Sequence, residues 1–131
     1  MAIDKNTMKY RWSEIDWVRI NKKNEQYHLA TIAQDSFIVG FSLYSYSFEQ
    51  SHLLKIAVHK DCQRKNIATE LFFRDCLRLK ELNVSNIYLE VEESNEAALS
   101  FYIKHGFRML TVKKNFYSDG LNANAMSLQL K

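Results

Sequence analysis

Hydrophobic and polar positions along the chain follow two periods, and the switches between them delimit the predicted elements. Residues 13–23 place Ile15, Trp17, Val18 and Ile20 at roughly helical spacing, and Ser13 can cap the open N–H groups of the first turn. A short helix is predicted there. Residues 27–34 read as a strand, Asp35-Ser36 as a tight turn, and residues 37–47 as a second strand carrying Phe41, Leu43, Tyr44 and Tyr46. Gly40 lies inside that second strand, where a missing side chain signals a bulge or a close backbone approach. The run Leu53, Leu54, Ile56, Ala57, Val58 predicts a strand over 52–58 buried on both faces, and residues 59–65 are polar.

Over residues 66–82 the period changes again. Ala68, Leu71, Phe72, Cys76, Leu79 and Leu82 form an apolar stripe at three-to-four spacing, predicting the longest helix of the chain. Residues 86–92 alternate, with Ile87, Leu89 and Val91 on one face and Tyr88, Glu90 and Glu92 on the other. A third helix is predicted over 96–105, with Gly106 at its left-handed C-terminal cap. Two strands follow over 107–117 and 123–130, joined by turn residues 118–122. The order is helix, three strands, helix, strand, helix, two strands. It predicts an α/β or α+β class, a mixed sheet with helices against it.

Composition narrows the functional classes. The 131 residues include three glycines, Gly40, Gly106 and Gly120, and no proline. Such dispersed glycines exclude the dinucleotide fingerprint, the Walker loop and the G-x-S-x-G elbow, all of which need clustered glycine. No shift in composition marks a linker or a repeat, so one domain over 1–131 is expected. The formal charge is +3 and the basic residues are scattered, which gives no support to a dedicated nucleic-acid stripe. Cys62 and Cys76 are too few for a zinc cluster, and His52, His59 and His105 show no metal-ligand spacing, so these histidines read as surface or internally satisfied groups. No apolar run approaches the ~20 residues of a membrane span and the opening residues form no signal peptide. The expectation is a cytoplasmic protein without a metal.

A strand, a polar loop and a long helix in succession form a general anion-binding device, because the first-turn N–H groups lack internal partners and the helix dipole adds positive potential. The loop here is Gln63-Arg64-Lys65-Asn66-Ile67-Ala68. Two cations beside free amides suit a pyrophosphate, and asparagine is the non-glycine residue that best enters the left-handed region.

These six residues resemble the Q/R-x-x-G-x-G/A pyrophosphate loop of the GNAT family of N-acetyltransferases, with Ile56-Ala57-Val58 at the matching distance before it. Leu89-Glu90-Val91, Ser94-Asn95, Ala98, Tyr102 and Gly106-Phe107 resemble the family's L-E-V, S-N and A-x-x-x-Y-x-x-x-G-F block. Trp12-Ser13-Glu14 and the segment 112–120 resemble the RimI-like branch, whose members acetylate N-terminal alanines of proteins. Asn66 stands where the family has glycine, and only eleven residues precede Trp12, so the resemblance implies a shortened N-terminal end.

The resemblance implies a mostly antiparallel sheet splayed into a V around acetyl-CoA, with helices flanking it. It assigns Glu90 as general base through water and Tyr102 as general acid. It assigns Ile56, Ala57, Val58, Arg64, Lys65, Asn66, Ile67, Ala68, Thr69 and Asn95 to the cofactor, the backbone of Val58 holding the thioester carbonyl. Lys113-Lys114-Asn115-Phe116-Tyr117 with Asp119-Gly120 fall on the acceptor side. The implied acceptor is a protein N-terminus, such as the alanine of a small-subunit ribosomal protein. Two alternatives stand beside it: a small-molecule amine as acceptor, and a degenerate module that binds CoA or a partner protein.

Overall fold

The computed structural model describes residues 26–62 and 66–130. The predicted helix over 13–23 and the loop residues Gln63, Arg64 and Lys65 lie outside them. Six strands form one sheet: β1 Gln26–Gln34, β2 Phe37–Ser47, β3 Gln50–Val58, β4 Asn86–Glu92, β5 Arg108–Lys113 and β6 Ala123–Gln129. A short 3-10 turn, Lys60–Cys62, follows β3, then α1 Ile67–Glu81, while α2 Glu96–Lys104 connects β4 to β5. The spatial order is β1-β2-β3-β4-β6-β5. Among the described residues only β3 and β4 run parallel; every other neighbouring pair is antiparallel.

The first hairpin turns on Asp35 and Ser36, both at positive φ (49° and 73°), the geometry whose twist matches that of the flanking strands. Gly40 serves both of its predicted purposes. It pairs with Ile32 while Ile38 pairs with Ala33, so Val39 is an extra, bulged residue. A Cβ at Gly40 would also stand 3.1 Å from the Ala57 carbonyl oxygen and 3.1 Å from Ile32 Cγ2. The bulge thus draws β2 tightly onto the end of β3.

Two strands differ from their predicted limits by more than one residue. β3 begins at Gln50, earlier than the apolar run suggests, because a two-residue turn at Phe48-Glu49 makes β2 and β3 a second hairpin. Its first half alternates in burial, and only 55–58 are buried throughout. The strand predicted over 107–117 is shorter, Arg108–Lys113, because Asn115 turns to φ 53° and ends it.

The largest fully buried side chains include Tyr44, Phe72, Phe101, Leu71, Leu79, Ile87, Leu89 and Met126. α1 packs against β1, β2 and β3, and Phe72 from α1 meets Phe101 from α2 edge to face at 6.2 Å. One position of the α1 stripe carries a charge. Asp75 is fully buried between Leu71 and Leu79, and accepts a hydrogen bond from Ser42 Oγ at 2.6 Å, with His28 Nε2 3.3 Å away. Partners of this kind are what a buried carboxylate requires. Burial first, and the Asp75 carboxylate second, push the neighbouring Tyr44 phenol well above its ordinary pKa.

Candidate active site

The parallel ladder between β3 and β4 is short. It joins Gln50 to Asn86, Ser51 to Ile87 and His52 to Tyr88, and there it stops. Beyond that point β3 continues against β2 as far as the Val58–Gly40 pair, and β4 continues against β6 as far as Glu92–Ala123. The sheet therefore forks, with His52 and Tyr88 at the fork and Glu90 just inside it on β4.

Glu90 is the most heavily engaged side chain of this region. Its Oε1 lies 2.8 Å from His52 Nε2, and its Oε2 accepts from the Tyr88 hydroxyl at 2.9 Å and from Lys113 Nζ at 2.7 Å. The carboxylate side chain is 11% exposed, against 38% for His52 and 41% for Lys113, so the acid belongs to the wall and these two partners to the rim. Burial alone would raise the Glu90 pKa. Hydrogen bonds from His52, Lys113 and Tyr88 outweigh it and bring the carboxyl down to about 2. Lys113 is held in its charged form chiefly by the same bond. Its ammonium also lies 5.3 Å from the centroid of the Tyr88 ring and 5.4 Å from that of Phe116.

The loop beside this cluster is braced. Asn115 N–H donates to Asn122 Oδ1 at 3.0 Å, Leu121 N–H to Asp119 Oδ1 at 3.2 Å, and Asn122 Nδ2 to Glu93 Oε1 at 3.1 Å. The Glu93 N–H in turn donates to the Asn122 carbonyl. Phe116, edge-on to Tyr117 at 5.0 Å, is thereby carried to the mouth of the fork.

On the other arm, Ile56, Ala57 and Val58 are buried at the end of β3. Asn66 takes the left-handed conformation, φ 59° and ψ 20°, at the N-cap of α1, with no capping bond from its own side chain. Its carbonyl receives the Glu70 N–H at 3.0 Å. Asparagine thus reproduces the backbone state for which glycine is the usual choice. Ile67 and Ala68 turn their side chains into the core, so any contribution to an anion comes from their backbone amides; Thr69 is partly exposed.

Two other expected site residues have structural duties. Asn95 Oδ1 accepts the Ala98 N–H at 3.2 Å and so caps α2. Tyr102 is buried, with its ring edge-on to Phe101 at 5.6 Å and Phe107 at 5.4 Å. The period-two alternation that sets Tyr88 and Glu90 on one face puts them in hydrogen-bond reach, and His52, which the sequence gives as a surface or internally satisfied histidine, is satisfied by Glu90, a functional pairing that no motif in the sequence marks. Among the described residues, no three His, Cys, Asp or Glu side chains converge as a metal site.

The chemistry of this arrangement is that of an ammonium receptor beside a gap between two strand edges. A helix N-terminus whose preceding residue is left-handed follows the end of β3, and its open amides suit a phosphate.

Comparison with known proteins agrees. The family model described as an acetyltransferase (GNAT) domain matches residues 10–130. The ribosomal protein bS18-alanine N-acetyltransferase of Escherichia coli K12 is 28% identical over 120 residues, covering 90% of this chain and 80% of that one. The crystal structure of the Escherichia coli ribosomal-protein-S18-alanine N-acetyltransferase superimposes with a TM-score of 0.81 at 27% identity, covering 93% and 79% of the two chains. An N-alpha-acetyltransferase of Saccharolobus solfataricus is 38% identical over 82 residues, 62% of this chain and 49% of that one. A GNAT family acetyltransferase from Elizabethkingia anophelis with acetyl-CoA bound shares the fold, with a TM-score of 0.78 at 20% identity over 90% and 84% of the chains.

Proposed function

Since the chain belongs to the GNAT family and is an N-acetyltransferase, we propose that it transfers the acetyl group of acetyl-CoA to the α-amine of a protein N-terminus, with a small first residue such as alanine. The observation that carries this reading is the ring-flanked Glu90 carboxylate at the fork of the sheet. The names of the bacterial and archaeal relatives point the same way.

Proton energetics favour an α-amine. At pH 7 an α-ammonium of pKa near 7.8 gives up its proton for about 1 kcal/mol, whereas a lysine ammonium needs about 4.6 kcal/mol. Glu90, low in pKa and ionised at neutral pH, attracts the ammonium and orients the water through which the proton departs. Acetyl-CoA supplies an activated thioester. The backbone of Val58 supports its carbonyl, and the amides of Asn66, Ile67, Ala68 and Thr69, with Arg64 and Lys65, receive the phosphates. Asn95 contributes beside the cofactor, and Tyr102 protonates the departing thiolate.

Release of CoA from acetyl-CoA in the presence of short peptides tests the reading. Peptides with an open N-terminal alanine or serine are expected to turn over, and N-terminally blocked peptides carrying an internal lysine are not. Turnover confined to small free amines would overturn the proposed acceptor.

A further inference from the structure

We propose that the ammonium of Lys113 occupies the position of the acceptor's amine, as a built-in competitor that an incoming N-terminus must displace. The proposal rests on the reading of Glu90 given above. A carboxylate floor with two aromatic rings beside it recognises an alkylammonium in general, whatever chain carries it. Lys113 Nζ sits 2.7 Å from Glu90 Oε2, with the Tyr88 and Phe116 ring centroids at 5.3 and 5.4 Å. Both distances are inside the roughly 6 Å reach of a cation–π contact.

The occupant differs from the receptor in mobility. Glu90 lies on β4, an inner strand, and is fixed by His52 from β3 and Tyr88 from its own strand. Lys113 ends β5, the edge strand, and its partly exposed stem can swing into solvent without moving backbone. Its departure leaves both rings and the carboxylate in place for another ammonium.

Lys113 also fills the position without reacting. Bonded to Glu90, it stays protonated and lacks the lone pair that attack on a thioester requires. An α-ammonium loses its proton far more readily in the same position. The site therefore discriminates against lysine-like amines by being occupied by one.

The probe is alaninamide, an α-ammonium without a carboxylate, titrated into the full-length protein and followed by the ring-proton shifts of Tyr88 and Phe116. Lys113→Met is expected to bind it about two- to five-fold tighter than the natural chain, the range set by the modest strength of a partly exposed ion pair. Lys113→Arg, which keeps the cation, should stay close to the natural affinity. In turnover of an alanine-initiated peptide, Lys113→Met should lower KM by a similar factor. Equal alaninamide affinity in the Met variant and the natural chain, or no shift at the two rings, overturns the proposal. So does a fall in kcat at unchanged KM, the signature of a lysine that merely steadies Glu90. If no peptide turns over, the function proposed above fails while the alaninamide titration still decides this one.

Discussion

Replacing Glu90 with glutamine removes the charge at the fork while keeping the side chain's shape, and its effect on stability can be worked out with its pH dependence. The folded carboxyl titrates at about 2, against a reference of 4.5. Because the folded value lies below the unfolded one, the stabilisation is fully present above the unfolded pKa and is lost as pH falls through the folded one. A shift of that size corresponds to about 3 kcal/mol at full strength. His52 and Lys113 are both more than a third exposed, so solvent screening reduces it to about 1–2 kcal/mol. Urea unfolding of the natural chain and Glu90→Gln at pH 6, 5, 4, 3 and 2 measures it. The gap in unfolding free energy should hold at about 1–2 kcal/mol down to pH 5, then close steadily toward pH 2. A gap that stays flat from pH 5 to pH 2, or a Glu90 carboxyl whose carbon-13 titration midpoint falls near 4.5, would refute the argument.

Tyr102→Phe should lower kcat at least ten-fold while leaving acetyl-CoA affinity within about two-fold, and unchanged turnover would remove the hydroxyl from the reaction. At the left-handed N-cap of α1, Asn66→Gly should stay within about 0.5 kcal/mol of the natural stability. Asn66→Ala should lose about 1 kcal/mol, because no capping bond is at stake and only the backbone conformation is disfavoured. Equal melting curves for the Ala and Gly variants would contradict that. Asp75→Ala should cost about 3 kcal/mol by leaving Ser42 and His28 without their shared acceptor, and a melting temperature within a degree of the natural one would show the cluster to be neutral.

The local parts of this fold were readable because their causes are local. The β1–β2 turn at Asp35-Ser36, the limits of β2 and the left-handed Asn66 all follow from neighbouring residues. The long helix was equally legible, although its stripe concealed a charge: Asp75 falls four residues after Leu71 and four before Leu79, a position whose burial is obvious and whose partners are not. Ser42 and His28 are 33 and 47 residues away. The site suffered from the same limit. Glu90 was identified through the family motif, but His52 is 38 residues before it and Lys113 is 23 after it, each on a different strand. No periodicity within one segment can express that meeting, because the parallel β3–β4 register creates half of it and the order β4-β6-β5 the other half.

That short parallel ladder also bears on how the molecule assembles. Each half of the sheet is built from one continuous stretch of chain, β1 to β3 within Gln26–Val58 and β4 to β6 within Asn86–Gln129. Three ladder pairs, the bonds from the Ser85 and Asn86 N–H groups to the Glu49 carbonyl, and α1 with its packing on α2 join them. The contacts inside each half close short loops, whereas the ladder closes a loop through the whole of α1. The two halves are therefore natural folding units, and the seam between them is the step with the greatest loop-closure cost. Chain cut between α1 and β4, near Asn83 with its φ of 66°, would divide the protein along that seam. Activity recovered on mixing the two pieces would then record the re-forming of the ladder, where His52 meets Glu90, together with the packing of Phe72 from α1 against Phe101 from α2.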